Sequence, residues 1–171
     1  ARLIHVVTYR TRVQLKKEVM KVISKNDIEK YIGVDIEPTD WFVVNQEQID
    51  QFADCTLDHQ FIHTDPVKAQ GTMFGSTIAH GLLSLSMLPY FAESFGYLLE
   101  GANIGVNYGF DKVRFIHPVK VNSRIRAHAK LIGVEEKSPG QYTFKTEVVV
   151  EIEGEKKPAL MAVWLAMQIV S

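Results

Sequence analysis

The sequence predicts an α+β fold in which a curved antiparallel sheet wraps around one long helix. Apolar residues cover almost the whole circumference of a helix from Ile78 to about Phe95, which is typical of an enclosed helix. Four segments in which apolar residues recur at short periods follow, and they predict strands at 104–115, 121–134, 141–152 and 159–170. Turn residues separate them. A helix followed by a run of neighbouring strands indicates α+β rather than alternating α/β.

The elements before the long helix are shorter. Apolar residues at three- and four-residue spacings predict an amphipathic helix over 13–31, and Asn26 and Asp27 favour its division in two. A β-branched and aromatic run at 41–44 predicts a strand. Asn45, with Gln48 three residues later, predicts a helix start. Asp65 and Pro66 indicate another, because Asp can cap a helix and Pro fits its first position.

Composition excludes several classes of protein. The 171 residues are 46% hydrophobic and 23% charged, as in an ordinary globular domain, and the formal net charge is −1. Without a basic excess, we expect no nucleic-acid partner. A lone cysteine excludes an internal disulfide and fits a reducing compartment. We expect a cytoplasmic protein without a membrane span, because no targeting segment is visible and charged or Pro residues interrupt the apolar stretch at 78–99.

The chemistry is expected near a polar cluster beside the most apolar helix. Asp58 and His63 stand five residues apart in a segment without a helical period, so a loop could direct both side chains to one point. A carboxylate and an imidazole placed in this way can hold one water and move protons in both directions. An equally acceptable interpretation is structural: Asp58 caps a helix and His63 satisfies a buried carbonyl.

Gly81 is the second candidate. A glycine inside an apolar helix costs on the order of 1 kcal/mol relative to Ala, so it indicates either close packing or a backbone that a ligand approaches. If the helix begins near Ala79, the Gly81 N–H is an unpaired first-turn donor and could hold a polarised carbonyl oxygen. Other sites are less favoured. No G-x-S-x-G elbow, metal-ligand spacing or nucleotide fingerprint is present.

Three ordered motifs then identify a family resemblance. They are A-x-x-x-x-D-H-Q-F-I-H-x-D-P at 53–66, I-A-H-G at 78–81, and N-Y-G at 107–109 followed by V-R-F-x-x-P-V at 113–119. Together they resemble the MaoC-type (R)-specific enoyl-thioester hydratases, nearest to the nodulation-protein-N-like branch. The resemblance covers roughly residues 38–170 and implies a hot-dog fold over 38–171. Residues 1–37 lie outside the resemblance, and we expect them to form an N-terminal helical extension.

The resemblance also implies a reaction and the residues that perform it. The reaction is reversible addition of water to a trans-2-enoyl thioester, giving the (R)-3-hydroxyacyl thioester. Asp58 and His63 match the catalytic pair, and Gly81 matches the oxyanion donor. Further candidates for the substrate pocket are Gln60, Ile62, His80, Asn107 and Tyr108. No metal or separate cofactor is expected, because coenzyme A or acyl carrier protein is part of the substrate. A homodimer is implied.

The motif departs from its commonest form at one place. Gln60 and Phe61 stand where that form has Asn-Pro, but the Asp58 and His63 pair is retained. Two alternatives are kept beside the hydratase: a hot-dog thioesterase, which would bind the same ligand and hydrolyse it, and a non-catalytic acyl-thioester-binding protein with the same fold.

Overall fold

The computed structural model describes residues 20–170, and seven strands lie within them. The strands are β1 (Lys21–Ile23), β2 (Phe42–Val43), β3 (Tyr97–Leu99), β4 (Ala102–Phe115), β5 (Arg124–Ser138), β6 (Gln141–Ile152) and β7 (Leu160–Val170). Five of them form an antiparallel sheet in the order β2-β5-β6-β7-β4. The four predicted C-terminal strands are confirmed, and they form most of this sheet.

The predicted turns connect these strands. Ser138 to Gln141 closes the β5–β6 hairpin, where Gly140 has a φ of +76°. A Cβ at this position would lie 2.5 Å from the Val170 carbonyl oxygen, so the turn needs glycine for space as well as for conformation. Gly154 in the β6–β7 connection also has a positive φ but meets no neighbour.

Both predicted helix starts are confirmed. Helix α1 (Gln46–Thr56) is capped by Asn45, whose side chain accepts from the Gln48 N–H at 2.9 Å. A short helix α2 (Phe61–Thr64) follows, and then α3 (Pro66–Gln70). Asp65 caps α3 by accepting from the Lys68 N–H at 3.0 Å. The predicted strand before α1 is β2, which is only two residues long.

The long helix is present as two consecutive segments, α4 (Gly81–Ser86) and α5 (Leu88–Phe95), separated by Met87. Pro89 explains the interruption, because it has no N–H for the Leu85 carbonyl and its ring crowds that carbonyl. The helix begins at Gly81 rather than near Ile78. Its burial is also less complete than predicted, since Leu82 and Tyr90 are exposed in the single chain.

The core lies between this helix and the concave face of the sheet. Inward-facing residues alternate along β5, β6 and β7, as expected for strands with one buried face. The main cluster includes Leu88, Phe91, Ala92 and Phe95 of α5 with Ile125, Ala127, Val148, Val150, Leu160, Ala162 and Trp164 of the sheet. A curved antiparallel sheet around a central helix is therefore confirmed.

The amphipathic helix predicted over 13–31 is wrong for its described part, while residues 13–19 lie outside the described residues. From Lys21 the chain forms β1, which pairs in parallel with β3, and then a 3₁₀ helix at Lys25–Lys30. Ile23 packs in a second cluster with Leu99, Leu131, Tyr142 and Phe144. Pairing with β3 and burial of Ile23 thus override the helical spacing. Between residues 20 and 170, no helix has the length and apolar character needed to cross a membrane.

Candidate active site

Asp58, His63 and His80 meet at one point, although they come from three separate elements. A carboxylate oxygen of Asp58 and one ring nitrogen of each histidine all lie within 4.8 Å of one another. Asp58 lies in the loop after α1, His63 in α2, and His80 immediately before α4. The structure thus brings together the two residues predicted as the catalytic pair and one predicted pocket residue.

The end of α1 positions Asp58. Leu57 adopts a left-handed conformation (φ 61°, ψ 23°), which stops the helix and redirects the chain. The Asp58 side chain is about half exposed, at 55%, and lies 3.4 Å from the Gln60 backbone N–H. This carboxylate is therefore accessible to solvent, whereas the two imidazoles next to it are buried.

His63 is held by a backbone carbonyl. Its Nδ1 lies 2.6 Å from the Ile78 oxygen, and because a carbonyl only accepts, Nδ1 carries the hydrogen and Nε2 has the free lone pair. Burial lowers the pKa of His63; His80 lowers it further, while the Ile78 carbonyl and Asp58 oppose the shift. His63 is thus a neutral imidazole at pH 7.

His80 occupies the centre of the cluster. Its ring stacks on that of His63 with centroids 3.7 Å apart and an interplanar angle of 24°, and Phe52 lies on it at 5.0 Å. Its Nε2 donates to the Asp58 backbone oxygen at 3.0 Å. Nδ1 is buried and has no hydrogen-bond partner among the described residues. His80 thus contacts both members of the predicted pair, an arrangement that sequence spacing does not reveal.

Extended backbone at 77–79 fixes the distance between these elements. The Ile78 N–H donates to the Ile62 oxygen at 3.0 Å, so this segment is bonded to α2. The Ala79 N–H donates to Val119 at 2.7 Å, and the Val121 N–H donates to Thr77 at 3.0 Å. Segment 77–79 therefore joins α2 to the chain that leads into β5.

Gln46 is a supporting residue that the sequence analysis missed. Its Nε2 donates to the His63 backbone oxygen at 2.7 Å, and its Oε1 accepts from the buried Thr77 hydroxyl at 2.5 Å. It thereby ties α1 to both α2 and segment 77–79. Nothing in the sequence around Gln46, in the first turn of a helix, indicates that it links these elements.

Gly81 begins α4, so its N–H has no acceptor within the helix. The Phe115 ring lies against it: a Cβ on Gly81 would be 2.9 Å from Phe115 Cδ1. Close packing, one of the two interpretations offered above, is thus present, and the N–H also keeps its position at the helix start. A cavity of about 310 Å³ is lined by His63, Gly81, Ser84, Phe115, Ile116 and Ala159, among others.

The other predicted pocket residues lie further away. Gln60 is exposed beside Asp58, and Ile62 contributes its carbonyl to segment 77–79. Asn107 on β4 lines a separate apolar cavity under α5, and its neighbour Tyr108 is exposed. Within one chain, neither Asn107 nor Tyr108 lines the His63 cavity.

The Asp58, His63 and His80 set offers two imidazoles and a carboxylate, which are common zinc ligands. The ring geometry does not suit joint ligation. A metal about 2.0–2.1 Å from each nitrogen must lie in the plane of each ring. Rings stacked at 3.7 Å and 24° cannot both point their in-plane lone pairs at one ion so close by. The arrangement instead favours acid–base chemistry.

Comparisons with known proteins agree with this geometry. The family model of the MaoC like domain matches residues 8–153, so the similarity begins upstream of residue 38. The 3-hydroxyacyl-thioester dehydratase Z of Mycobacterium tuberculosis is 42% identical over 139 residues, covering 81% of this chain and 91% of that protein. Nodulation protein N of Rhizobium leguminosarum bv. viciae is 41% identical over 149 residues, covering 86% and 92%.

A solved structure shows the same fold. The R-hydratase of Pseudomonas aeruginosa superimposes with a TM-score of 0.62 at 20% identity, covering 82% of this chain and 83% of that one. The expected hot-dog architecture is confirmed. With a family model matched over most of its length and relatives above 40% identity, this chain belongs to the MaoC-like family of dehydratases and hydratases.

Proposed function

We propose that this protein catalyses the reversible hydration of trans-2-enoyl thioesters to (R)-3-hydroxyacyl thioesters. The observation that carries the proposal is the meeting of the Asp58 carboxylate with the buried, neutral His63 imidazole, which lines a cavity together with Gly81. The resemblance supports the identity of the thioester and the stereochemistry.

In this mechanism, Asp58 and His63 bind one water between them. The water oxygen attacks C3 of the enoyl group, its proton passes to the pair, and the pair returns a proton to C2. A neutral His63 is suited to accept the first proton, because its Nδ1–H is already engaged and Nε2 is free. Dehydration follows the same steps in reverse.

We assign to the Gly81 N–H the role of stabilising the negative charge that develops on the thioester oxygen. A fixed N–H at a helix start stabilises such charge without reorganisation at the moment of reaction. The thioester itself activates the alkene, so the scheme uses no metal or separate cofactor. Coenzyme A or acyl carrier protein enters as part of the substrate.

We further propose that the protein works as a homodimer. Strand β4 forms one edge of the sheet, and most of its residues are exposed. Ile104, Val106, Tyr108 and Phe110 are exposed apolar residues of this strand. A long, apolar edge strand is a template for pairing with another strand, and a second copy offers the same edge.

Removing either member of the pair should abolish most activity. Asp58→Asn and His63→Ala are each expected to lower kcat on an enoyl-CoA by at least about 100-fold, the usual contribution of a positioned acid or base. His59→Ala is the matched control, because His59 is exposed and lies beside the pair without belonging to it. Full turnover by both Asp58→Asn and His63→Ala would contradict the mechanism.

The pH dependence should reflect the lowered pKa of His63. Hydration needs the unprotonated imidazole, and a lowered pKa keeps it unprotonated at neutral pH. We expect kcat/KM for hydration to be constant near pH 7 and to fall only below about pH 6.5, the ordinary value for histidine. Steady-state kinetics from pH 4.5 to 8 test this. An acidic limb with its midpoint above pH 7 would be inconsistent with a buried neutral base.

The proposed dimer can be tested by mass. Sedimentation equilibrium should give about twice the chain mass of 19.4 kDa. Val106→Lys should shift the protein toward monomer, because it places a charge on the paired edge. Val67→Lys, at an exposed position on α3, should not. A monomeric unmodified protein would refute the dimer.

A further inference from the structure

His80 is buried beside the proposed catalytic pair, but it does not line the cavity. Its side chain is only 4% exposed. Ala79 and Gly81, its two neighbours in the sequence, both line the cavity of about 310 Å³ that includes His63, whereas His80 is not among the lining residues. The His80 ring instead faces His63 and the Asp58 backbone. An effect of His80 on a ligand in this cavity therefore has to act through other residues.

The loop that carries Asp58 has little burial of its own. Residues 54–60 are all exposed. The hydrogen bond from His80 Nε2 to the Asp58 backbone oxygen, at 3.0 Å, joins this exposed stretch to a buried ring. The oxygen that accepts the bond belongs to the same residue as the carboxylate of the proposed pair. A shift of this part of the backbone would therefore move the carboxylate as well.

The face of the His80 ring contacts the other member of the pair. The His63 ring is bound through Nδ1 to the Ile78 oxygen, and a single hydrogen bond leaves a ring free to tilt about it. The stack on His80, with centroids 3.7 Å apart, restricts this tilt. Burial, and to a smaller extent His80, lower the pKa of His63, which favours the neutral form that the proposed mechanism uses.

The surrounding chain fixes His80 itself. Segment 77–79, directly before it, is hydrogen-bonded to α2 and to the chain before β5. Directly after it, the His80 carbonyl accepts from the Ser84 N–H at 3.2 Å in the first turn of α4. The Phe52 ring of α1 lies 5.0 Å from the His80 ring, centroid to centroid. His80 is thus a fixed point to which both catalytic candidates are attached.

The hydrogen bonding of the ring indicates which of its atoms the site uses. Nδ1 of His80 is buried and has no hydrogen-bond partner among the described residues. A buried polar atom without a partner costs free energy, and an apolar ring of similar size would fill the same space without that cost. Packing alone therefore does not account for an imidazole at this position, whereas the bond from Nε2 to Asp58 does.

We propose that His80 is a positioning residue, which holds Asp58 and His63 in the relative arrangement that the reaction needs. This inference rests on the proposed function. One nitrogen of the ring holds the backbone of the carboxylate residue, and the face of the ring holds the imidazole. Proton transfer through one water needs both groups within hydrogen-bond distance of it, and a displacement of about 1 Å can lower a rate about 100-fold.

The test uses two amides of different length at position 80. His80→Gln places an amide N–H near the position of Nε2 and can keep the bond to Asp58, whereas the side chain in His80→Asn is too short. For His80→Asn, kcat on crotonyl-coenzyme A should fall at least about tenfold with little change in KM, because the cavity lining is unchanged. His80→Gln should recover most of this loss. His128→Asn, at a histidine of β5 that pairs with Glu151, is the control and should keep full kcat.

A double-mutant cycle separates positioning from a defect in folding. In an Asp58→Asn background, His80→Asn should cause little further loss of kcat, because residues that act as a unit give non-additive losses. A folding defect would lower kcat by the same factor in both backgrounds. The proposal would be overturned by an unchanged kcat in His80→Asn, by equal losses in the Asn and Gln variants, or by losses that multiply.

Backbone NMR relaxation of the free protein separates this inference from the proposed function, because it needs no substrate. In His80→Asn, the order parameters of the amides at 57–60 should fall from about 0.85 to below about 0.6, and His80→Gln should retain the higher values. If the unmodified protein hydrates no thioester but these order parameters fall, the hydratase proposal fails and the attachment of the loop to His80 stands. If hydration proceeds, and kcat and order parameters are unchanged in His80→Asn, the positioning proposal fails alone.

Discussion

The candidate site depends on the backbone hydrogen bonds of the extended segment 77–79. This segment is bonded on one side to α2 and on the other to the chain before β5, and the Ile78 carbonyl accepts from His63 Nδ1. His80 and Gly81 follow directly, so their positions relative to His63 are fixed by covalent geometry and three backbone hydrogen bonds. Gln46 adds a side-chain link to the same junction. The site is therefore set by the main chain, and the side chains contribute the chemistry.

This junction also brings the His63 and His80 rings together in a stack. Burial lowers the pKa of His63 and favours its neutral form, and its ring stacks on that of His80 with centroids 3.7 Å apart. The exposed Asp58 carboxylate beside them supplies a negative charge that needs no burial. In the proposed mechanism, this neutral base and the accessible carboxylate share the proton transfer to and from one water.

Local signals predicted much of this structure. Asn45 and Asp65 cap helices as expected, because a cap depends on a few neighbouring residues. The β4–β7 strands were visible from short periods and turn residues. The helix predicted over 13–31 is wrong for the residues that the structure describes, because pairing of β1 with the distant β3 decides their conformation. The start of the long helix at Gly81 was not predicted for a related reason: residues 77–79 are hydrogen-bonded to partners far away in sequence.

The site was predictable in part. Spacing indicated Asp58 and His63, and a glycine within an apolar helix indicated Gly81, but the central position of His80 depends on a ring stack that no sequence pattern reports. Asn107 and Tyr108 belong to the motifs yet lie on the exposed edge strand, away from the His63 cavity of the single chain. Sequence patterns do not determine contacts between elements that are distant in sequence, or contacts between the two chains of the proposed dimer.

The most direct test of the proposed function is to incubate the protein with crotonyl-coenzyme A and with a medium-chain trans-2-enoyl-coenzyme A. Loss of enoyl absorbance would be followed together with thiol release and product stereochemistry. We expect absorbance loss without thiol release, and an (R)-3-hydroxyacyl product. Stoichiometric thiol release would contradict the hydratase and identify a thioesterase. No reaction with either compound or with the matching acyl-carrier-protein thioesters would leave only a binding role.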